Sequence, residues 1–574
     1  MQFIMFLKRT KSKSYEYAQI TESYRDKEGK TRHKVIANLG RIDQLRENGF
    51  HKIIAELAKL IDLKIEPSNT DGIAEMFEKE RSNYGWLAYK KLWNKFKLDD
   101  LLSELVSSKL IEYDFAKTVF SMVINKLLAP SSKLALFENK NDYFYINDDL
   151  KLQNLYKSLD LLADNKEKIE DLLFARRYNL FNMSLDVVFY DVTTFYFESQ
   201  TEDELKDYGF SKDNKINNVQ VVMGLLIDRT GMPVGYELFK GCTIDSKTLV
   251  RSIKKLKERF NIDKVIIVAD KGLNSGQNFY EIKKSGLDYI VSSRLKNMSK
   301  SIVDTVLDRN EYIKLNSTDT KEEFSYKSVN YKHKIKVIDE STNSPKYHEL
   351  EEKLVCTYSS VRARKDLADR TRLIEKAKLI IAQNNKSALV ANKGHKKYVT
   401  TKQDDTENNK TPNKATELEL DNERILKEAR FDGYYAIQTS RMDICPKEVI
   451  ENYHLLYKIE DSFRVMKSNM GTRPVYHWTP KRIEGHFMMC FIAFLLEREM
   501  ENIMKEQTDE KSTPGRIQKA LLDMQVTQLE INNTDYYLRS KHDALAGRIF
   551  AKLKIKLPNN LSSKKDIYEY VSNI

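Results

Sequence analysis

Three acidic residues stand in settings that can serve one reaction: Asp191 in VVFYDVTTFYFES, Asp270 in KVIIVADKGLNS and Glu460 in YHLLYKIEDSFRVMKS. The first two close strongly apolar, strand-like runs and the third lies in an amphipathic helical pattern. Carboxylate oxygens are the preferred ligands of hard divalent cations, and such a set can hold a pair of them for phosphodiester chemistry. Asp186 and Glu198 are near Asp191 in the chain but lack its strand-end setting.

The elements that must position this set can be read from the apolar pattern. LDVVFYDV and KVIIVAD are short runs rich in β-branched and aromatic residues, bounded by charge on one side and, for the second, by Gly272 on the other. Each aspartate therefore falls at the carboxyl end of a strand, where open α/β sheets place their ligands. Between them NNVQVVMGLLIDRTGMPVGYELFKG predicts two strands joined by the turn Asp228, Arg229, Thr230 and Gly231. DSKTLVRSIKKLKERF predicts a helix, Gln277 to Lys284 another, and LDYIVSSR a third strand beside LDVVFYDV and KVIIVAD. The order strand, hairpin, helix, strand, helix, strand and a late acidic helix resembles the ribonuclease H-like fold.

Pro446 suits a first helical position and Gly471 a stop just past the end, so one helix is expected between them. Tyr453, Leu456 and Lys467 lie seven before, four before and seven after Glu460, spacings that share one face at about 3.6 residues per turn. A carboxylate and an amine on that face can serve a metal ion and a phosphate respectively.

These residues are similar to those of the bacterial insertion-sequence DDE transposases of the IS4 superfamily, most of all the IS1634 type. The family signature is tyrosine, two residues, arginine, three residues, glutamate, six residues, lysine. Tyr453, Glu460 and Lys467 match it, while Leu456 occupies the arginine position, with Arg464 one turn beyond the glutamate as a substitute. GTRPVYHWTPKRIEGHFMMCFIAFLL, NLGRIDQL and the stretch from Asp191 to Lys215 add to a resemblance that covers most of the chain. It implies an α/β ribonuclease H-like catalytic core interrupted by a β-rich insertion, and two Mg²⁺ ions, replaceable by Mn²⁺, on Asp191, Asp270 and Glu460. Cleavage at transposon ends and strand transfer into target DNA are the implied reactions, with double-stranded DNA as partner and a homodimer in the DNA complex. Tyr453, Arg464, Lys467, Lys271, Thr193 and Arg473 are the expected DNA contacts, with Thr194 beside them.

Composition bounds the alternatives. A formal charge of +12, from 96 basic against 84 acidic residues, favours a polyanionic partner. No apolar stretch reaches the roughly 20 residues that span a bilayer, and the apolar run in MQFIMFLKRTKSK is too short for a secretory signal, so a cytoplasmic location is expected. Cys242, Cys356, Cys445 and Cys490 form no CxxC or Cys/His spacing, which points to free thiols. The nine histidines give no HExxH; His477 and His486 flank the segment after the acidic helix.

Domain organisation follows. Residues 1–65 read as a basic α+β region for DNA binding, 76–180 as mostly helical, and 181–299 as the first part of the core. Residues 300–430 form the insertion, 431–500 the second part of the core, and 501–574 a helical C-terminal region. The insertion carries FSYKSVNYKHKIKVIDE, LEEKLVCTYSSVRAR, a basic helix and the polar linker KQDDTENNKTPNKATE. The resemblance implies an aromatic of the insertion stacked on an extruded base; the insertion has no tryptophan, leaving Tyr326, Tyr331 and Tyr358 as candidates. Two other functions share these residues: a metal-dependent nuclease without strand transfer, and a silent DNA-binding derivative.

Overall fold

The computed structural model describes residues 4–12, 15–25, 31–48, 76–144, 149–178, 186–211, 213, 215–260, 265–315, 322–339, 342–383, 393–401, 418–505, 512–531 and 534–574. They divide into two units, one of Met1–Leu87, Asn141–Tyr145 and Ala520–Ile574, the other of Ala88–Lys140 and Ile146–Lys519. In the first, β1 (Ile4–Ser12), β2 (Tyr15–Arg25) and β3 (Thr31–Arg41) form an antiparallel sheet, followed by a helix at Ile42–Asn48. The strands agree with the alternation in YEYAQITESYR and RHKVIANLG. Residues 49–75 lie outside the described residues, as does the KQDDTENNKTPNKATE linker.

The first unit corrects the sequence reading at its other end. The helical reading of residues 501–574 holds for Pro514–Leu522, Ala544–Lys552 and Lys564–Ser572, but β16 (Gln525–Ile531), β17 (Thr534–Arg539) and β18 (Leu561–Ser563) join β4 (Met76–Asn83) in a sheet of order β18-β17-β16-β4. QVTQLEI and TDYYLR do alternate, and the β-branched and aromatic residues on their inner face gain more by packing than a helix would offer them.

The second unit contains the helices expected near its start, including Phe115–Leu128, Leu152–Asp164 and Lys166–Tyr178. Its principal sheet is built from β5 (Val187–Tyr196), β6 (Gln220–Asp228), β7 (Pro233–Lys240), β8 (Ile266–Ala269), β9 (Asp288–Ser292), β10 (Ile313–Lys314), β11 (Phe324–Ile338), β12 (Pro345–Ser359) and β15 (Tyr434–Thr439). Its order is β10-β11-β12-β15-β9-β8-β5-β6-β7; β13 (Val399–Thr401) and β14 (Leu418–Leu420) pair separately. β5, β8 and β9 are parallel neighbours and the remaining pairings are antiparallel. The long β11–β12 hairpin of the expected insertion is therefore hydrogen-bonded into the same sheet, through β15. That short strand, YYAIQT, was not foreseen.

Alternation along the parallel strands fixes two faces. Val188, Tyr190, Val192, Ile267, Ala269, Tyr289 and Val291 point into one apolar core together with Leu249, Phe279 and Ile282 from the helices Asp245–Phe260 and Gly276–Lys284. Intervening residues point to the other face, which is covered by Pro446–His454, Tyr457–Arg464 and the buried helix Pro480–Lys505. Phe195 meets Phe487 there at 5.0 Å between ring centroids.

Pro480–Lys505 also packs on Leu152–Asp164, and Gly485 permits the approach: a Cβ at this position would lie 1.9 Å from the carbonyl oxygen of Leu159. Alanine would gain about 1 kcal/mol of helix propensity, but displacing a packed backbone costs about 1–3 kcal/mol. Gly485→Ala is expected to lower the melting temperature by several degrees, measured by circular dichroism; a raised melting temperature would contradict this packing.

Candidate active site

The register of β5 and β8 brings the two aspartates into one rank. Tyr190 pairs with Ala269, so Asp191 and Asp270 are the next residues along neighbouring parallel strands. Both belong to the face opposite Tyr190 and Ala269, the face on which the acidic helix packs. Asp270 ends its strand as expected. Asp191 does not, because β5 continues to Tyr196 against β6; it stands where the parallel pairing stops.

Hydrogen bonds hold each aspartate. The Val192 N–H donates to Asp191 Oδ1 at 2.7 Å. Tyr453 Oη donates to Asp270 Oδ1 at 3.4 Å and receives a 2.6 Å bond from Tyr435. Burial, followed by the neighbouring Tyr435, drives the Tyr453 phenol far above its ordinary range, so it remains a donor. Tyr453 is thus a positioning group for Asp270, as well as a residue of the family signature.

The single helix expected from Pro446 to Gly471 is three segments: Pro446–His454, Tyr457–Arg464 and a π-helical turn at Val465–Asn469. Leu456, Lys458 and Ile459 each donate backbone bonds three residues back, which tightens the chain, and Met470 donates five residues back to Val465, which widens it. Pro446 does stand at the helix start, and Gly471, at φ +53°, follows the end. These changes of pitch break the common face predicted from a constant 3.6-residue turn. Leu456 is 7% exposed and lies with Ile459 and Phe463 on the apolar side, whereas Glu460 is exposed.

The acidic helix is anchored from behind. Arg498 of Pro480–Lys505 donates to Asp461 Oδ2 at 2.9 Å, Ser462 Oγ at 3.2 Å and Glu501 Oε2 at 2.7 Å. Glu497, one residue earlier, is fully buried and accepts from Tyr89 at 2.5 Å. Its burial, and then the nearby Glu501, push its carboxyl up to about 8.

The other expected DNA contacts separate. Lys271 is exposed beside Asp270. Thr193 and Thr194 are buried in β5, which corrects the expectation that they face a phosphate: side chains this deep in a sheet are sealed by packing. Arg464 is exposed and paired with Asp461. Lys467 is largely buried, 3.3 Å from Asp213 and over the Phe195 ring at 5.4 Å; Arg473 pairs with the same Asp213. Asp213 stays below its ordinary range because Arg473 and Lys467 outweigh the opposing effect of its burial.

Other sequence candidates are structural. His477 and His486 pack together with ring centroids 4.9 Å apart, and His486 contacts Cys490. Burial, then Lys133, lowers His477 to about 3 and His486 well below its ordinary range, so both are neutral. Tyr326 is buried, Tyr331 bonds the buried Glu352, and the Arg309 guanidinium lies 3.6 Å from the Tyr358 ring centroid. Asp186 precedes β5 and Glu198 follows it, so neither joins the rank of Asp191 and Asp270.

Among the described residues, no three His, Cys, Asp or Glu side chains stand close enough together to hold a metal ion. The close convergence expected of Asp191, Asp270 and Glu460 is thus not preformed. Its components are two ranked aspartates and a glutamate on a helix packed against β5.

Two outcomes follow. Leu456→Arg puts a cation on the apolar side of the acidic helix and is expected to cost about 3 kcal/mol or more; an unchanged urea midpoint would show that position 456 faces outward. For Glu497, a folded-state value near 8 against 4.5 unfolded means that the folded protein retains a proton the unfolded chain loses. Stability should therefore fall as pH rises from about 4.5 to about 8, by at most about 1.4 kcal/mol per pH unit from this group. Glu497→Gln should flatten that slope in urea titrations across the window; an identical slope would place the titration elsewhere.

Comparison with known proteins agrees with the geometry. Residues 7–66 match the N-terminal domain of IS1634 family transposases, and residues 183–496, more than half of the chain, match the transposase DDE domain. No curated protein matches. Among solved structures, the chain is similar to a piggyBac transposase synaptic complex with hairpin DNA at 10% identity and a TM-score of 0.34, over 86% of this chain and 87% of that one. It is similar to a Mos1 transposase paired-end complex with the left transposon end at 12% identity and a TM-score of 0.14, over 33% of this chain and 57% of that one. These scores are too low to bear on the fold. The two domain matches place the chain in the IS1634 family of DDE transposases, whose DDE domain implies a ribonuclease H-like core.

Proposed function

We propose that this chain binds the terminal inverted repeats of its insertion sequence, cleaves the DNA there and joins the freed end to target DNA. The observation that carries the reading is the rank formed by Asp191 and Asp270 on the face that receives the Glu460 helix. The carboxylate donor set suits Mg²⁺ or Mn²⁺ and lacks the thiolates and imidazoles that favour zinc. Asp191, Asp270 and Glu460 would hold two such ions, with the cationic charge offsetting the repulsion of three carboxylates. When bound, the metal pair supplies an activated oxygen nucleophile and stabilisation of the leaving oxygen.

The protein's own residues supply position. Tyr453 and the Val192 N–H orient the aspartate oxygens, and Arg498 fixes the helix that presents Glu460. Lys271, exposed beside Asp270, offers an ammonium to the DNA backbone. The basic β1–β3 region is assigned to end recognition, consistent with its match to the family's N-terminal domain. Joining two ends to one target needs two active sites, so a homodimer forms in the DNA complex.

The test uses DNA carrying the short repeats that flank the coding sequence. Asp191→Asn, Asp270→Asn and Glu460→Gln are each expected to lower Mg²⁺- or Mn²⁺-dependent cleavage at least about 1,000-fold while end binding in gel shifts stays within about threefold, because only anionic ligands are removed. Full cleavage by Asp270→Asn would refute the assignment. Cleavage without joined product would favour the nuclease reading instead.

A further inference from the structure

The family signature calls for an arginine at a position where this chain has Leu456, and that residue is buried. The positions nearby do not restore a free guanidinium: Arg464 is paired with Asp461, and Lys467 and Arg473 share Asp213. The chain supplies one from a different element. β8 and β9 are parallel, with Ala269 opposite Val291, so Ser292 ranks beside Asp270 and Arg294 follows two residues later.

Arg294 is exposed, and with Asp270 and Lys271 it lines a cleft of about 620 Å³. Its backbone surroundings are fixed: the Ser293 N–H donates to the Ala436 carbonyl at 2.8 Å, and Leu295 is buried. The other arginines that line this cleft are engaged, Arg370 with Asp432 and Arg362 with Asp366. Among the described residues, no carboxylate lies within 4.0 Å of the Arg294 guanidinium. A fixed backbone carrying an uncommitted guanidinium beside a metal-ligand aspartate suits bidentate binding of a phosphodiester.

The geometry points to Arg294 as a catalytic residue that binds the non-bridging oxygens of the DNA phosphate at Asp270, taking the place of the arginine absent at position 456. This rests on the DNA-transposase reading of the same site. Because Arg294 is exposed, its substitution should leave the fold intact, which thermal melting checks.

The experiment compares the wild type with Arg294→Ala and Arg294→Lys in two assays. In nicking of a supercoiled plasmid carrying the flanking repeats, with Mg²⁺ or Mn²⁺, Arg294→Ala should be slower by about 100-fold. Arg294→Lys should recover part of that loss, and added guanidinium should speed the alanine variant but not Asp270→Asn. In gel shifts in EDTA, Arg294→Ala should reduce the slope of log affinity against log salt by about one. An alanine variant that nicks at the wild-type rate, or that keeps the wild-type salt slope, would overturn the assignment to Arg294. A wild-type protein that binds these ends but nicks no DNA would refute the function proposed above, while the salt slope would still decide whether Arg294 contacts phosphate.

Discussion

The parallel register between β5 and β8 is the constraint on which the site depends. It sets Tyr190 beside Ala269, directs both into the apolar core, and thereby directs Asp191 and Asp270 to the opposite face in the same rank. Slipping one strand by a single residue would turn its aspartate into the core. The penalty for burying a lone carboxylate there makes the register a requirement of stability as well as of chemistry.

The helix that carries Glu460 packs against that face by different means. It is short, bounded by a tightened turn and a π turn, and is held by an apolar stripe of Leu456, Ile459 and Phe463 together with the Arg498 bonds to Asp461 and Ser462. π turns recur at functional sites because they change the direction of side chains within a continuous helix. Here the turn contains Lys467, which it leaves against Phe195 and Asp213. The charges around the site are consequently distributed unevenly. Arg464 on the acidic helix, and Lys467 and Arg473 after it, are committed to carboxylates, whereas Lys271 and Arg294, at the ends of β8 and β9, line the cleft beside Asp270.

Much of the core was legible from residue pattern. The apolar runs before Asp191 and Asp270, the hairpin between them and the helices that follow are dictated by local hydrophobic periodicity, and all are present. The strand YYAIQT was missed because its value lies in pairing with β9 and β12, partners remote in sequence. Leu456 was assigned to the glutamate's face by a constant helical pitch, and only the altered turns on either side show that it belongs to the core. Arg294 carried no signal of its own in the sequence; its significance comes from the ranking of β8 against β9.

The most direct measurement is anomalous diffraction from crystals soaked in MnCl₂. Manganese density between the carboxylates of Asp191 and Asp270, with Glu460 completing the ligand set, is the expected result. Manganese bound elsewhere, or a Glu460 that remains apart from a metal held by the two aspartates, would contradict the three-carboxylate site.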